Sequence, residues 1–180
     1  MYAETLKLIA TFAERQPSPV LPSCLDPLFR RLAGTTAAAE ASATEDRIWE
    51  LWMTHPNTAA ARVLDLAATD IAARRFDIAE TRLVRLLRAV PDFPEAWNKR
   101  ATLYYMLERD EEFIRDAHRT LQLEPRHFGA ICGFAEICLA RGQREAALFA
   151  FRAALRINPH LKQVRKTVAR LNGRRRGSAH

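Results

Sequence analysis

Three prolines, Pro91, Pro125 and Pro159, recur at one constant spacing of 34, and the residues between them repeat in type as well as in position. Ala67, Ala101 and Ala135 hold the same frame, as do Leu87, Leu121 and Leu155. A period of this length means a supersecondary unit that cannot bury its apolar face alone and must stack on copies of itself. In residues 94–127, Trp97, Ala101 and Tyr104 fall at helical spacing before a polar turn, and Phe113, Ala117 and Leu121 do so after it. The small residue belongs where two helices cross closely, and the branched apolar one where the second helix meets the next hairpin. Proline closes each unit, because it lacks an amide hydrogen and forces its predecessor out of helical geometry.

Composition points the same way. Hydrophobic residues make up 48% of the 180, enough for a core, and only six are glycine. Alternating β-branched runs are absent, so an all-α chain is expected. The net charge of +7 is uneven. Residues 162–180 hold Lys162, Arg165, Lys166, Arg170, Arg174, Arg175 and Arg176 and no acid; removing those seven from 28 basic residues leaves 21, equal to the 21 acids. The body is therefore neutral and the tail carries the excess. Three cysteines make no disulfide framework. Cys132 and Cys138, six apart on one predicted helix, would be about 9 Å apart, too far to bridge, and read as small buried apolar residues.

The periodic pattern resembles the tetratricopeptide repeat. Ala135, Ala147, Phe151, Ala154 and Pro159 occupy its signature positions in residues 128–161. Residues 94–127 keep Trp97, Ala101, Tyr104 and Pro125 but exchange volume between Phe113 and Ala117. Residues 60–93 keep Ala67, Ala79 and Pro91, with Asp70 where an aromatic is expected. The resemblance implies an all-α, right-handed helix-hairpin solenoid of three repeats, 60–93, 94–127 and 128–161. Residues 1–24 read as a helix and a proline-rich linker. Residues 25–59 read as a divergent helical pair capping the array, with Thr44 as a helix cap before IWELWM. Residues 162–180 read as a basic capping helix, with Leu161, Val164, Val168 and Leu171 on its apolar stripe and fraying from Asn172 onward.

The chain also resembles a group of small alphaproteobacterial repeat proteins that pair an IWELW-type helix with segments like PEAWNKRATLYY and LEPRHFGA. Members of that group usually carry an export signal ahead of the segment matching LDPLFRRL. Here the apolar run LKLIATFA is short and flanked by charge, unlike a secretory signal. A cytoplasmic location is expected, with the periplasm as the alternative. No stretch approaches the roughly 20 apolar residues of a membrane span.

The five histidines show no metal spacing, and phosphate loops are absent, so neither metal nor cofactor is expected. Gly129 and Gly133 fall inside a predicted helix and are expected to permit close packing. Asp77, Glu145 and the Asp110, Glu111, Glu112 run open the second helices, where carboxylates complement the helix dipole. Nucleophile, base and oxyanion donors do not converge, and the chain reads as noncatalytic. What remains is surface. At 100° per residue, the positions facing the concave side are Leu64, Ala68 and Ile71, then Glu95, Asn98, Thr102, Tyr105 and Met106, then Cys132, Glu136 and Leu139. These either seat the amino-terminal segment or bind an external peptide or helix. The cationic clamp of carboxyl-terminus-binding repeats is missing, since its positions hold Leu64, Ala68, Lys99, Gly129 and Gly133. The expected role is an adaptor or assembly factor for another protein. The alternative is binding of nucleic acid or an anionic surface through the tail, although no aromatic residues interleave with its arginines.

Overall fold

The computed structural model describes residues 1–176, with side chains through residue 173. Its α-helices are α1 (Tyr2–Ala10), α2 (Leu25–Gly34), α3 (Ala38–Trp52), α4 (Thr58–Ala72), α5 (Phe76–Ala89), α6 (Pro94–Met106), α7 (Asp110–Leu123), α8 (Phe128–Ala140), α9 (Arg144–Ile157) and α10 (Lys162–Arg176). No strand occurs among the described residues. Each period of the sequence is one hairpin, α4 with α5, α6 with α7, and α8 with α9. Each following first helix packs on the hairpin before it.

The turn inside each hairpin obeys the same period. Arg74, Glu108 and Gly142, one period apart from each other, are the residues with positive φ among the described residues, at 58°, 56° and 72°. Beyond each, an amide reaches back five residues to a carbonyl of the first helix: Arg75 to Asp70, Arg109 to Tyr104 and Gln143 to Cys138, at 2.8, 2.9 and 2.8 Å. This left-handed closure satisfies carbonyls that the helix end would leave unpaired. Only Gly142 adopts it without steric cost. First helices start by different means: Asn57 caps the amide of Ala60, Pro94 supplies a preset φ, and His127 caps the amide of Ala130.

Volume exchange at Phe113 has a visible partner. A Cβ on Gly133 would lie 2.7 Å from the Phe113 ring, so the glycine makes room for that ring. Asp70, at the aromatic position of the first repeat, is buried and held by Arg75 and Arg82 at 2.7 and 3.0 Å. Tyr104 holds that position in the second repeat, and its hydroxyl donates to Glu80 at 3.1 Å.

The chain from Met1 to Trp52 wraps the second and third hairpins, and Met53 packs against the core of the first. Helix α1 packs on α7 and α9, the second-helix face. Tyr2 meets Phe134 at 5.2 Å, and its hydroxyl donates to the Cys138 thiol. Arg15 then donates to the carbonyls of Leu121 and Gln122, the negative end of the α7 dipole. The proline-rich linker turns the chain around the hairpin ends, with the Ser18 amide on the Leu123 carbonyl at 2.7 Å. Helix α2 docks there through Asp26 on Arg126, Phe29 under the same guanidinium, and the Leu32 carbonyl facing His160. Helix α3 returns along the opposite, first-helix face. The segment expected to precede the first repeat thus has its large side chains on the second and third.

One local expectation differs from the structure. Thr44 is no cap: α3 begins six residues earlier at Ala38, and the buried Thr44 hydroxyl bonds back to the Glu40 carbonyl inside the helix. At the other end helix α10 runs through Asn172 and Gly173 to Arg176. Leu171 is buried and Val164 and Val168 are half-buried toward α9, while Lys162, Arg165, Lys166 and Arg170 are exposed. The side chains of Arg174, Arg175 and Arg176, and all of residues 177–180, lie outside the described part.

Candidate protein-interaction face

The face lined by α4, α6 and α8 is half filled by the chain itself. Trp52, wholly buried on α3, stacks on His127 with centroids 4.0 Å apart and planes 12° from parallel. Trp49 stands edge-on to His127 and Phe128 at 5.6 and 5.4 Å. Gly129 admits it, since a Cβ there would come within 2.6 Å of the indole. Lys99 approaches the other aspect of that ring at 6.0 Å. Glu45 accepts a hydrogen bond from Asn158 at 2.9 Å, so the helix spans from the end of the third hairpin to the start of the second. His55, just beyond α3, meets Phe93 at 4.8 Å.

Under the tryptophans lies a buried polar cluster. Glu95 and His127 are both fully buried and 2.8 Å apart. The Ala130 amide donates to His127 Nδ1, which makes Nδ1 an acceptor and leaves Nε2 to donate to the Glu95 carboxylate. Lys99 Nζ and Asn98 Nδ2 complete the shell at 3.2 Å each. Burial pushes the Glu95 carboxyl up, but the hydrogen bond from His127, with Lys99, outweighs it and holds the group below the usual carboxylate range. These are structural contacts. No group of three or more His, Cys, Asp or Glu arranged to hold a metal occurs among the described residues.

The sequence-predicted residues therefore divide. Leu64 and Ile71 are buried in the first hairpin's own core, and Ala68 is half-buried. Glu95, at 0% exposure, and Asn98, at 7%, belong to the cluster beneath α3. Cys132 is half-buried against the same core, and burial pushes its thiol up to about 12. Thr102, Tyr105, Met106 and Glu136 are exposed, and Leu139 is half-buried. The open part lies toward the carboxyl-terminal ends of α6 and α8. There Tyr105 and Met106 stand side by side at 47% and 42% exposure, the Tyr105 ring edge-on to Phe113 at 6.0 Å. Sequence reasoning passed over His127, which caps α8, grips Glu95 and supports Trp52. The HFG that opens α8, with Glu95 at the start of the preceding first helix α6, was the available signal.

Period, hairpins and left-handed turns in a single register define a helix-hairpin solenoid of the tetratricopeptide class. The chain is 30% identical over 135 residues to a TPR repeat-containing protein of the alphaproteobacterium Rhizobium etli. The match covers 75% of this chain and 66% of that protein, just under two thirds of the relative's length. No family profile matches. The chain shares the repeat architecture of the tetratricopeptide-repeat proteins. No helix among the described residues is long and apolar enough to cross a membrane.

Proposed function

We propose that the chain is a noncatalytic adaptor or assembly factor that captures a peptide or helix of another protein on the open half of its first-helix face. The observation that carries this reading is the exposed Tyr105–Met106 pair beside Thr102, Glu136 and Leu139, next to a stretch of the same face that α3 already covers. Tyrosine offers a broad apolar ring with a polar tip, and methionine adapts to irregular partners. The covered half supports the reading by example, because it shows this face accepting an amphipathic helix through aromatic anchors. The cytoplasm is the proposed location.

Affinity capture from a cell extract, followed by measurement with the identified partner, tests the proposal. Tyr105→Ala is expected to weaken binding by about 1–2 kcal/mol or more, as loss of a central aromatic anchor does. Its melting temperature should stay close to that of the parent, because the ring is half exposed. Binding should persist at high salt. Binding that is indifferent to Tyr105→Ala, and lost when Lys162, Arg165, Lys166 and Arg170 are changed to Ser, would move the function to the tail and an anionic partner.

A further inference from the structure

The edge of the first hairpin carries a groove of about 710 Å³, floored by Val63, Ile78, Leu86 and Ala89 and rimmed by Arg82 and Arg85. The repeat register explains why it is open. Stepping two periods along the chain converts Ile78, Arg82, Arg85 and Ala89 of α5 into Ala146, Ala150, Ala153 and Ile157 of α9. The same step converts Val63, Leu66 and Asp70 of α4 into Ile131, Phe134 and Cys138 of α8. In the third hairpin, α9 packs against α1 and α2, with Ala150, Ala153 and Ile157 buried and Tyr2 seated on Phe134 and Cys138. In the second hairpin the matching positions of α6 hold Trp97, Arg100 and Tyr104, bulky side chains that stack together, with Arg100 bound to Asp116 at 2.6 Å. Among the described residues, the first hairpin has no covering helix there, and Val63, Leu66 and Asp70 stand where the second hairpin has its stacked Trp97, Arg100 and Tyr104. In the groove Ile78 is left 49% exposed, and Leu66 of α4, outside the groove lining, 52%.

We infer that this groove is a second docking site, for an amphipathic helix of a partner protein with an apolar stripe and an acidic flank. Helix α1 sets the pose. Tyr2 lies by Cys138 at the end of α8, and Phe12 lies under Arg156 near the end of α9, so α1 runs in the same direction as α9. A helix laid likewise along α5 meets Asp77 first and then Arg85, with Arg88 on the adjoining surface of α5. Arg82 is already committed to Asp70, whereas Arg85 and Arg88 form no ion pair among the described residues. The carboxyl-terminal half of the docked helix therefore faces uncompensated positive charge. A second copy stacked head to tail is disfavoured, because its exposed Lys162, Arg165, Lys166 and Arg170 would meet those arginines. The site lies off the Tyr105 face and stands independently of the role proposed for it.

The probe is a pair of synthetic helical peptides about four turns long, with Leu at i, i+3, i+4 and i+7 spacing and either Glu or Lys flanking the stripe in the carboxyl-terminal half. Fluorescence anisotropy with the full chain should show the Glu peptide binding roughly tenfold tighter than the Lys peptide at low salt. Ile78→Asp should abolish binding, Arg85→Glu with Arg88→Glu should reverse the preference, and Tyr105→Ala should leave both peptides unaffected. The inference is overturned if neither peptide binds, if Ile78→Asp binds as the parent does, or if Tyr105→Ala removes binding. It is equally overturned by a concentration-dependent dimer in sedimentation that Ile78→Asp dissolves, which would assign the groove to a second copy.

Discussion

Trp52→Ala is expected to lower the free energy of unfolding by about 3–5 kcal/mol, the cost of removing a fully buried aromatic side chain. The indole has no exposed surface, and it meets His127 at 4.0 Å, Trp49 at 5.0 Å, Phe128 at 5.1 Å and Phe29 at 6.0 Å. Those neighbours belong to α2, α3 and the start of α8, so the cavity opens where three elements meet and cannot close by a single rotamer change. Trp52→Phe separates packing from polarity. It keeps an aromatic surface over the imidazole and removes an indole N–H that is buried without an acceptor among the described residues. Its cost should be less than half that of the alanine variant. Urea denaturation followed by circular dichroism measures both. A loss under about 1 kcal/mol for Trp52→Ala would mean that α3 does not dock against α8.

His127→Ala is expected to cost a similar amount for a different reason. It removes the cap on Ala130 and leaves the Glu95 carboxylate buried with Lys99 and Asn98 alone. Losing a hydrogen bond to a buried charged group costs about 1.5–3 kcal/mol, and losing the helix cap adds about 1 kcal/mol. The pH dependence fixes the cause. In the parent chain the Glu95 carboxyl is held below its ordinary range. It contributes stability present above the unfolded-state value and lost as pH falls through the lowered folded one. In the variant, burial remains while the main opposing influence is gone, so the carboxyl rises and its charged form is penalised near neutrality. Acidification through the raised value relieves that penalty. The stability gap between parent and variant should therefore be widest near neutral pH and narrow on acidification. Adding Glu95→Gln to His127→Ala should recover part of the loss, because no charge is then buried. A gap independent of pH, with no recovery in the double variant, would reduce His127 to a packing residue.

The repeat was legible in the sequence because each hairpin repeats the same local problem. Small residues at crossings, apolar stripes at helical spacing and a closing proline are all demands that one hairpin makes on its own residues. The placement of α3 was not legible. The stripe of Ile48, Trp49 and Trp52 shows that one face of the helix must be buried, but two apolar surfaces were available to it. One is the free edge of α4 and α5, and the other is the face lined by α6 and α8. Periodicity does not choose between them. Gly129 does, through the space it leaves for Trp49, and that complementarity appears only in three dimensions. The same limit divides the candidate site. Spacing points Glu95, Asn98 and Cys132 to the same side as Thr102 and Tyr105, yet it carries no information on what covers them. Thr44 illustrates a chemical ambiguity: a threonine followed by acids serves a helix start or bonds back inside a helix, and the alanine-rich stretch before it let α3 begin at Ala38.

The amino-terminal segment wraps the second and third hairpins instead of stacking ahead of the first, and the division of the first-helix face depends on it. Nuclear Overhauser contacts from the Trp52 indole protons in the full-length chain test this directly. The structure predicts strong contacts to the His127 imidazole and the Phe128 ring, with contacts from the Tyr2 ring to Phe134 on the opposite face. Trp52 contacts confined to residues of α4 and α5, with none to His127, would contradict it.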